Sequence, residues 1–148
     1  MRALTFTLRN ALELPNRRGL ASTRRRAAAL VAERRRTLAW EVASLLAGQR
    51  PEAPLPFVKV TVFRHSRGEP DEDNLHAAVK DLLDVLQPAG PQRTFGLGLI
   101  ENDGRKHCFL RVLHVPARSR PEQMTRVTIV ESTADDVAQA YERLRAAA

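Results

Sequence analysis

Apolar and polar positions alternate at the start of the chain: in "ALTFTLRN", Leu4, Phe6 and Leu8 are separated by Thr5 and Thr7, and this period of two predicts an opening strand. "FVKVTVFRH" repeats the pattern with Val58, Val60 and Val62 on one face, predicting a second strand. Between them the period changes. From about Thr23 to Ala47, Ala27, Leu30, Val31, Leu38, Val42, Leu45 and Leu46 recur at helical spacing, with Trp40 adding bulk to the core. Arg34 and Arg35 interrupt this stripe. Either that part of the helix leaves the core to face a ligand, or the arginine stems lie along apolar surface with their heads in water. "ELPNRRG" reads as a loop, and "GQRPEAPLP" as a proline-rich connector.

A second helix is predicted over Asn74–Leu86, where Leu75, Val79, Leu82 and Leu86 form a stripe at i, i+4, i+7 and i+11. "QPAGPQRTFGLG" reads as a loop. The strand that follows, Cys108–Val115, is apolar on both faces apart from Arg111, which predicts a central position in the sheet. "RVTIVE" supplies a fourth strand. A closing helix takes Ser132 or Thr133 as its cap and turns Val137, Tyr141 and Leu144 inward. The order βαβαββα implies an α+β fold: one domain over residues 1–148, with a small mixed four-stranded sheet, flanking helices and a C-terminal helical extension from 132.

Charge adds a partner class to this outline. The formal net charge is +7 with a pI near 10.9, and 21 of the 24 basic residues are arginine. Arginine makes planar bidentate contacts with phosphate. A GC-rich genome would also enrich arginine, so clustering matters more than number. From Met1 to Trp40 ten arginines face only Glu13 and Glu33, with triplets at Arg24–Arg26 and Arg34–Arg36, the footprint of a nucleic-acid binder. No apolar run reaches spanning length, and "MRALTFTLRN" lacks the pattern of a signal peptide, so the expectation is a cytoplasmic protein with no membrane partner. Cys108 is the only cysteine, and His65, His76, His107 and His114 form no zinc-binding spacing. Gly96-Leu97-Gly98 is not a dinucleotide fingerprint, because Glu101 holds the third glycine place; no nucleotide cofactor is expected.

Against this basic background, Glu69, Asp71, Glu72 and Asp73 crowd the start of the second helix. Acids there favour the positive helix end, but one cap needs one acid. Asp73, Ala77, Lys80 and Asp84 line a polar stripe, and because helical side chains lean towards the N-terminus, Lys80 is placed to reach over Ala77 towards Asp73. Asp71 and Asp73, one residue apart, are placed to share a hard cation. The alternative stands beside it: Asp73 caps the helix, and Lys80 pairs with Asp84 at i+4. "IENDGRK" offers a second source of carboxylates, Asp103 with Glu101, and convergence of the two sources would hold one or two Mg²⁺ ions.

"PDEDNLHAAVKDLLDVL" followed by "GLGLIENDG" resembles the RusA family of Holliday junction resolvases, in particular its phage and prophage branch. The resemblance runs from the first strand through "LPNRRG" to "VTIVE", with the Asp-x-Asp-Asn-Leu segment and the acidic turn as its sharp motifs. It implies that Asp71, Asp73 and Asp103 are catalytic metal-binding acids, with Asn102 where an Asp is frequent. The catalytic lysine of the family often sits one turn after the second Asp, here Ala77, and Lys80 one turn further on takes that role. The implied activity is a Mg²⁺-dependent endodeoxyribonuclease, with Mn²⁺ as a substitute, acting as a homodimer on branched DNA such as a four-way junction in a bacterial or phage-infected cell. Asn16, Arg17, Arg18, Arg34, Arg35 and Arg36 are the expected DNA contacts. The competing expectation is a non-catalytic, arginine-rich nucleic-acid-binding protein whose acids only cap a helix.

Overall fold

The computed structural model describes residues 1–14 and 24–148. Its elements are β1 (Ala3–Leu8), α1 (Arg24–Leu45), β2 (Val58–Ser66), α2 (Glu72–Leu86), β3 (Pro88–Gly90), β4 (Arg93–Leu97), β5 (Cys108–Pro116), β6 (Met124–Glu131) and α3 (Ala134–Ala146), with a 3-10 turn at Arg120–Glu122. Four strands form one mixed sheet in the order β1-β6-β2-β5. β6 runs antiparallel to both β1 and β2, whereas β5 is parallel to β2, with Val58 opposite Cys108 and Ser66 opposite Pro116. Parallel neighbours need a crossover, and α2 provides it.

One sheet face carries Leu4, Phe6, Leu8, Val58, Val60, Val62, Cys108, Val112, Val127 and Ile129, all buried. Against it lies the α2 stripe expected from periodicity: Leu75, Val79, Leu82 and Leu86 are all buried, joined by Val42 and Leu46 from α1 and by Leu55, Leu99 and Ile100. Full burial of each such leucine or valine stabilises the fold by roughly 1.5–3 kcal/mol. Thr133 is the cap of α3. Its hydroxyl accepts from the Asp136 N–H at 3.1 Å, while the Asp136 carboxylate accepts from the Thr133 N–H at 3.3 Å.

The structure corrects several expectations. β5 is an edge strand, not a central one. Its two-sided apolarity arises because α2 packs near one face and α3 reaches the other, where Phe109 meets Tyr141 edge-on at 4.9 Å. The amino end of its outer edge is capped: the Cys108 N–H donates to Gly104 O and its carbonyl accepts from the Tyr141 hydroxyl at 2.8 Å. "QPAGPQRTFGLG" is not a plain loop but contains the β3–β4 hairpin, with Pro88 opposite Leu97 and Gly90 opposite Arg93. The hairpin needs Gly96, since a Cβ there would collide with the backbone of Gln87, Pro88 and Ala89. Trp40, expected in the core, is 73% exposed, and Leu30, Leu45 and Leu144 also face outward. On α1 Val42 and Leu46 are buried as expected, joined by Ala39.

Candidate functional site

β2 ends at Ser66, and the turn Arg67–Pro70 carries the chain to Asp71, which holds the N-cap position of α2. The capping account of the helix start is not what happens there. Asp71 has φ −59° and ψ 149° and makes no capping hydrogen bond through its side chain; Glu69, Asp71, Glu72 and Asp73 are all exposed. Four carboxylates thus stand at the positive end of a 15-residue helix, favoured by its dipole and not consumed by capping.

Beside them opens a polar cavity of about 630 Å³ at the carboxyl ends of the parallel strands β2 and β5, the place where open α/β sheets commonly take ligands. Its walls carry Arg64, Arg67 and Arg120 together with Glu69 and Asp71, and Ser66, Asn74 and Gln123 add neutral donors and acceptors. Arg64 is buried and oriented: its Nε donates to Leu12 O at 2.8 Å and its Nη1 to Ser66 Oγ at 2.7 Å, while Ser66 Oγ donates on to Gly68 O. The burial alternation of β2 explains this placement, because Arg64 and Ser66 continue the inward face of Val58, Val60 and Val62 past the end of the apolar core. Sequence reasoning missed Arg64. The signal was the inward parity of an arginine in a strand.

Asp103 is not brought to this place. It lies in the turn before β5, where Val58 N–H donates to His107 O and Gly104 O accepts from His107 and Cys108, at the amino end of β2. Asp71 follows the carboxyl end of the same nine-residue strand, so β2 separates the two by roughly 26 Å at about 3.3 Å per residue. Among the described residues no three His, Cys, Asp or Glu side chains come together in a way that could hold a metal ion. The buried Cys108 thiol is pushed up to about 12, first by burial and then by the Asp103 carboxylate.

Lys80 does not reach back towards Asp73. Its Nζ lies 4.0 Å from Asp84 Oδ1, the i+4 pairing held open as the alternative. Arg34 and Arg35 turn to acids of their own chain, Arg35 to α2 and Arg34 to both Glu13, at 3.5 Å, and α2. Arg35 Nη2 donates to Asp84 Oδ2 at 2.7 Å and its Nε to Asp81 Oδ1 at 3.3 Å, and Arg34 Nε lies 3.9 Å from Asp81. Asp81 and Asp84 are buried, and Arg93 of β4 approaches Asp84 at 3.8 Å. Arg36 pairs with Glu33 on the surface of α1. The second arginine triplet is therefore bonded to acids of its own chain. Asn16, Arg17 and Arg18 fall outside the described residues.

Among the described residues no helix is long and apolar enough to cross a membrane. No protein-family model matches the chain, and no curated protein matches it.

Proposed function

We propose that the protein is a Mg²⁺-dependent endodeoxyribonuclease that works as a homodimer on branched DNA. The observation that carries this reading is the cavity at the carboxyl end of β2, where carboxylates and arginines share one wall. Arginines of such a site bind the phosphodiester, and acids beside them hold the cation that hydrolysis needs. Mn²⁺ would substitute for Mg²⁺.

The donors suit such an ion. Mg²⁺ takes one or two carboxylates, keeps several waters and completes its shell with substrate phosphate. Asp71 lines the cavity with its side chain uncommitted to a cap, and Asp73, exposed two residues further on, is a second hard oxygen donor. When bound there, the ion would supply an activated water and stabilise the charge that develops on the phosphate. The chain itself fixes the substrate: Arg67 and Arg120 lie on the exposed wall, and buried Arg64, held by Leu12 and Ser66, contributes a positive charge that cannot swing away.

Asp103 joins this mechanism only through the dimer. Because β2 keeps it apart from Asp71 and Asp73 within one chain, Asp103 of the partner subunit is the acid that would complete the set. Lys80, exposed and near Asp84, is available to the same assembly on the α2 surface. The test is complementation. Asp73→Asn and Asp103→Asn homodimers should each fail to cut a labelled four-way junction in Mg²⁺, whereas a co-expressed mixture should regain cutting, since each mixed dimer keeps one intact site. A mixture that stays inactive refutes the shared site.

The remote position of Asp103 favours a second reading, a non-catalytic nucleic-acid-binding protein. That protein would bind the junction equally in Mg²⁺ and in EDTA and would cut in neither.

A further inference from the structure

If the second arginine triplet is bonded to acids, another surface must carry positive charge to DNA. The sheet has a second face, opposite the core, and its registers set out the residues in rows. Thr5, Thr128, Thr61 and Arg111 are consecutive partners across β1, β6, β2 and β5. The next row is Thr7, Arg126, Phe63 and Leu113, and Lys59, between Val130 and Phe109, stands on the other side of the first. These residues are exposed or half-buried, while their strand neighbours on the core face are buried except for the half-buried Leu110 and His114 of β5.

Three features give this face a partner. It bears Lys59, Arg111 and Arg126, and no carboxylate occupies any position of those three rows. Hydroxyls fill the space between the cations, Thr5 and Thr128 lying 3.4 Å apart across strands. The Arg126 guanidinium is stacked over the Phe63 ring at 4.9 Å from its centroid, which fixes its plane and leaves its N–H groups to a planar acceptor. A flat surface of guanidiniums and hydroxyls without acids complements a phosphodiester backbone; a second copy of the same face would set cation against cation.

One end of the face lies at the same end of the sheet as the cavity. α3 follows β6 at the Val58 end of the sheet and contacts β5 there through Tyr141 on Cys108 and Phe109, with Asp136 of its first turn near Lys59. The opposite end carries Arg126 and Phe63, one register step from His65; the strand then ends at Ser66, whose side chain belongs to the core face, before the chain reaches Arg67 on the cavity wall. We infer that the open face of the sheet, centred on Arg111, Arg126 and Phe63, is the DNA-backbone surface of this protein. The inference deepens the nuclease reading but stands on binding alone.

The experiment measures the affinity of the intact protein for a duplex DNA and a four-way junction in EDTA across a salt series, with a melting curve for each variant. Arg111→Gln with Arg126→Gln should lower the slope of log K against log salt by roughly 1.8, about 0.9 per lost phosphate contact. Arg111→Lys with Arg126→Lys should keep the slope, and Thr5→Glu, on exposed β1, should weaken binding to both probes. A folded Gln double variant with the wild-type slope overturns the inference, as does a wild-type protein that binds neither probe. A slope change seen only with an RNA duplex of the same sequence overturns the assignment to DNA. Cutting assays in Mg²⁺ report separately on the nuclease reading: a wild-type protein that cuts no junction while the slope effect holds removes that reading and leaves this surface in place.

Discussion

Removing the Arg35 guanidinium tests whether the second arginine triplet serves the fold or a ligand. In Arg35→Met the stem that packs between α1 and α2 is kept, but Asp84 loses the 2.7 Å bond that is its only side-chain hydrogen bond among the described residues, and Asp81 loses its 3.3 Å partner. Breaking a fully buried pair from one side costs about 3–5 kcal/mol, and breaking an exposed pair about 0–1. Here the side chains are 25% and 11% exposed, and Arg93 and Lys80 remain at 3.8 and 4.0 Å from Asp84 to offset part of its charge. About 2 kcal/mol is the working value, which for a chain of this size lowers Tm by roughly 4–8 °C. Arg36→Met removes an exposed pair with Glu33 and should stay within about 0.5 kcal/mol. Thermal melts of both variants beside wild type, combined with DNA affinity across a salt series, give two independent readouts. The structure predicts a lower Tm for Arg35→Met with an unchanged salt slope. A wild-type Tm with a flattened slope would mean that Arg35 contacts phosphate and that its bonds to Asp81 and Asp84 contribute nothing.

Gly96→Ala should be destabilising by about 1–3 kcal/mol in urea titration because its Cβ collides with backbone, whereas Gly90→Ala, where a Cβ meets nothing within 4 Å, should be tolerated. The Cys108 thiol should resist a thiol reagent at pH 8 until denaturant is added, as burial keeps it protonated. Its raised pKa also sets a sign: between about 9 and 12 the unfolded chain loses this proton and the folded one keeps it, so stability falls with rising pH, and Cys108→Ala should flatten that fall. Thr133→Ala removes the reciprocal cap of α3 and should cost about 1 kcal/mol by chemical denaturation.

The elements were legible in the chain where one periodicity held without competition. β1, β2 and the stripe of α2 follow from alternation and from i, i+4 spacing, since each buries a single face against one sheet. α1 was less legible because its apolar residues are spread around the helix, so spacing alone assigned Leu30, Leu45 and Trp40 to the core beside Val42 and Leu46, where the structure takes only Val42 and Leu46 and adds Ala39. The hairpin at Pro88–Leu97 was hidden by its Pro and Gly content, which signals a turn but says nothing about the short strands around it.

For the candidate site, the sequence by itself determined that acids would crowd the start of α2 and that the chain would be strongly basic. Both are local properties of covalent order. Which charges meet was decided by tertiary structure. The crossover through α2 makes β5 parallel to β2, and that one choice of direction sends the turn bearing Asp103 to the amino end of the strand pair and Asp71 to the carboxyl end. The packing of α1 on α2 likewise sets Arg34 and Arg35 against Asp81 and Asp84, residues more than forty positions away in the chain. Spacing along a sequence fixes which side chains share a face, but strand direction and helix packing fix which faces meet.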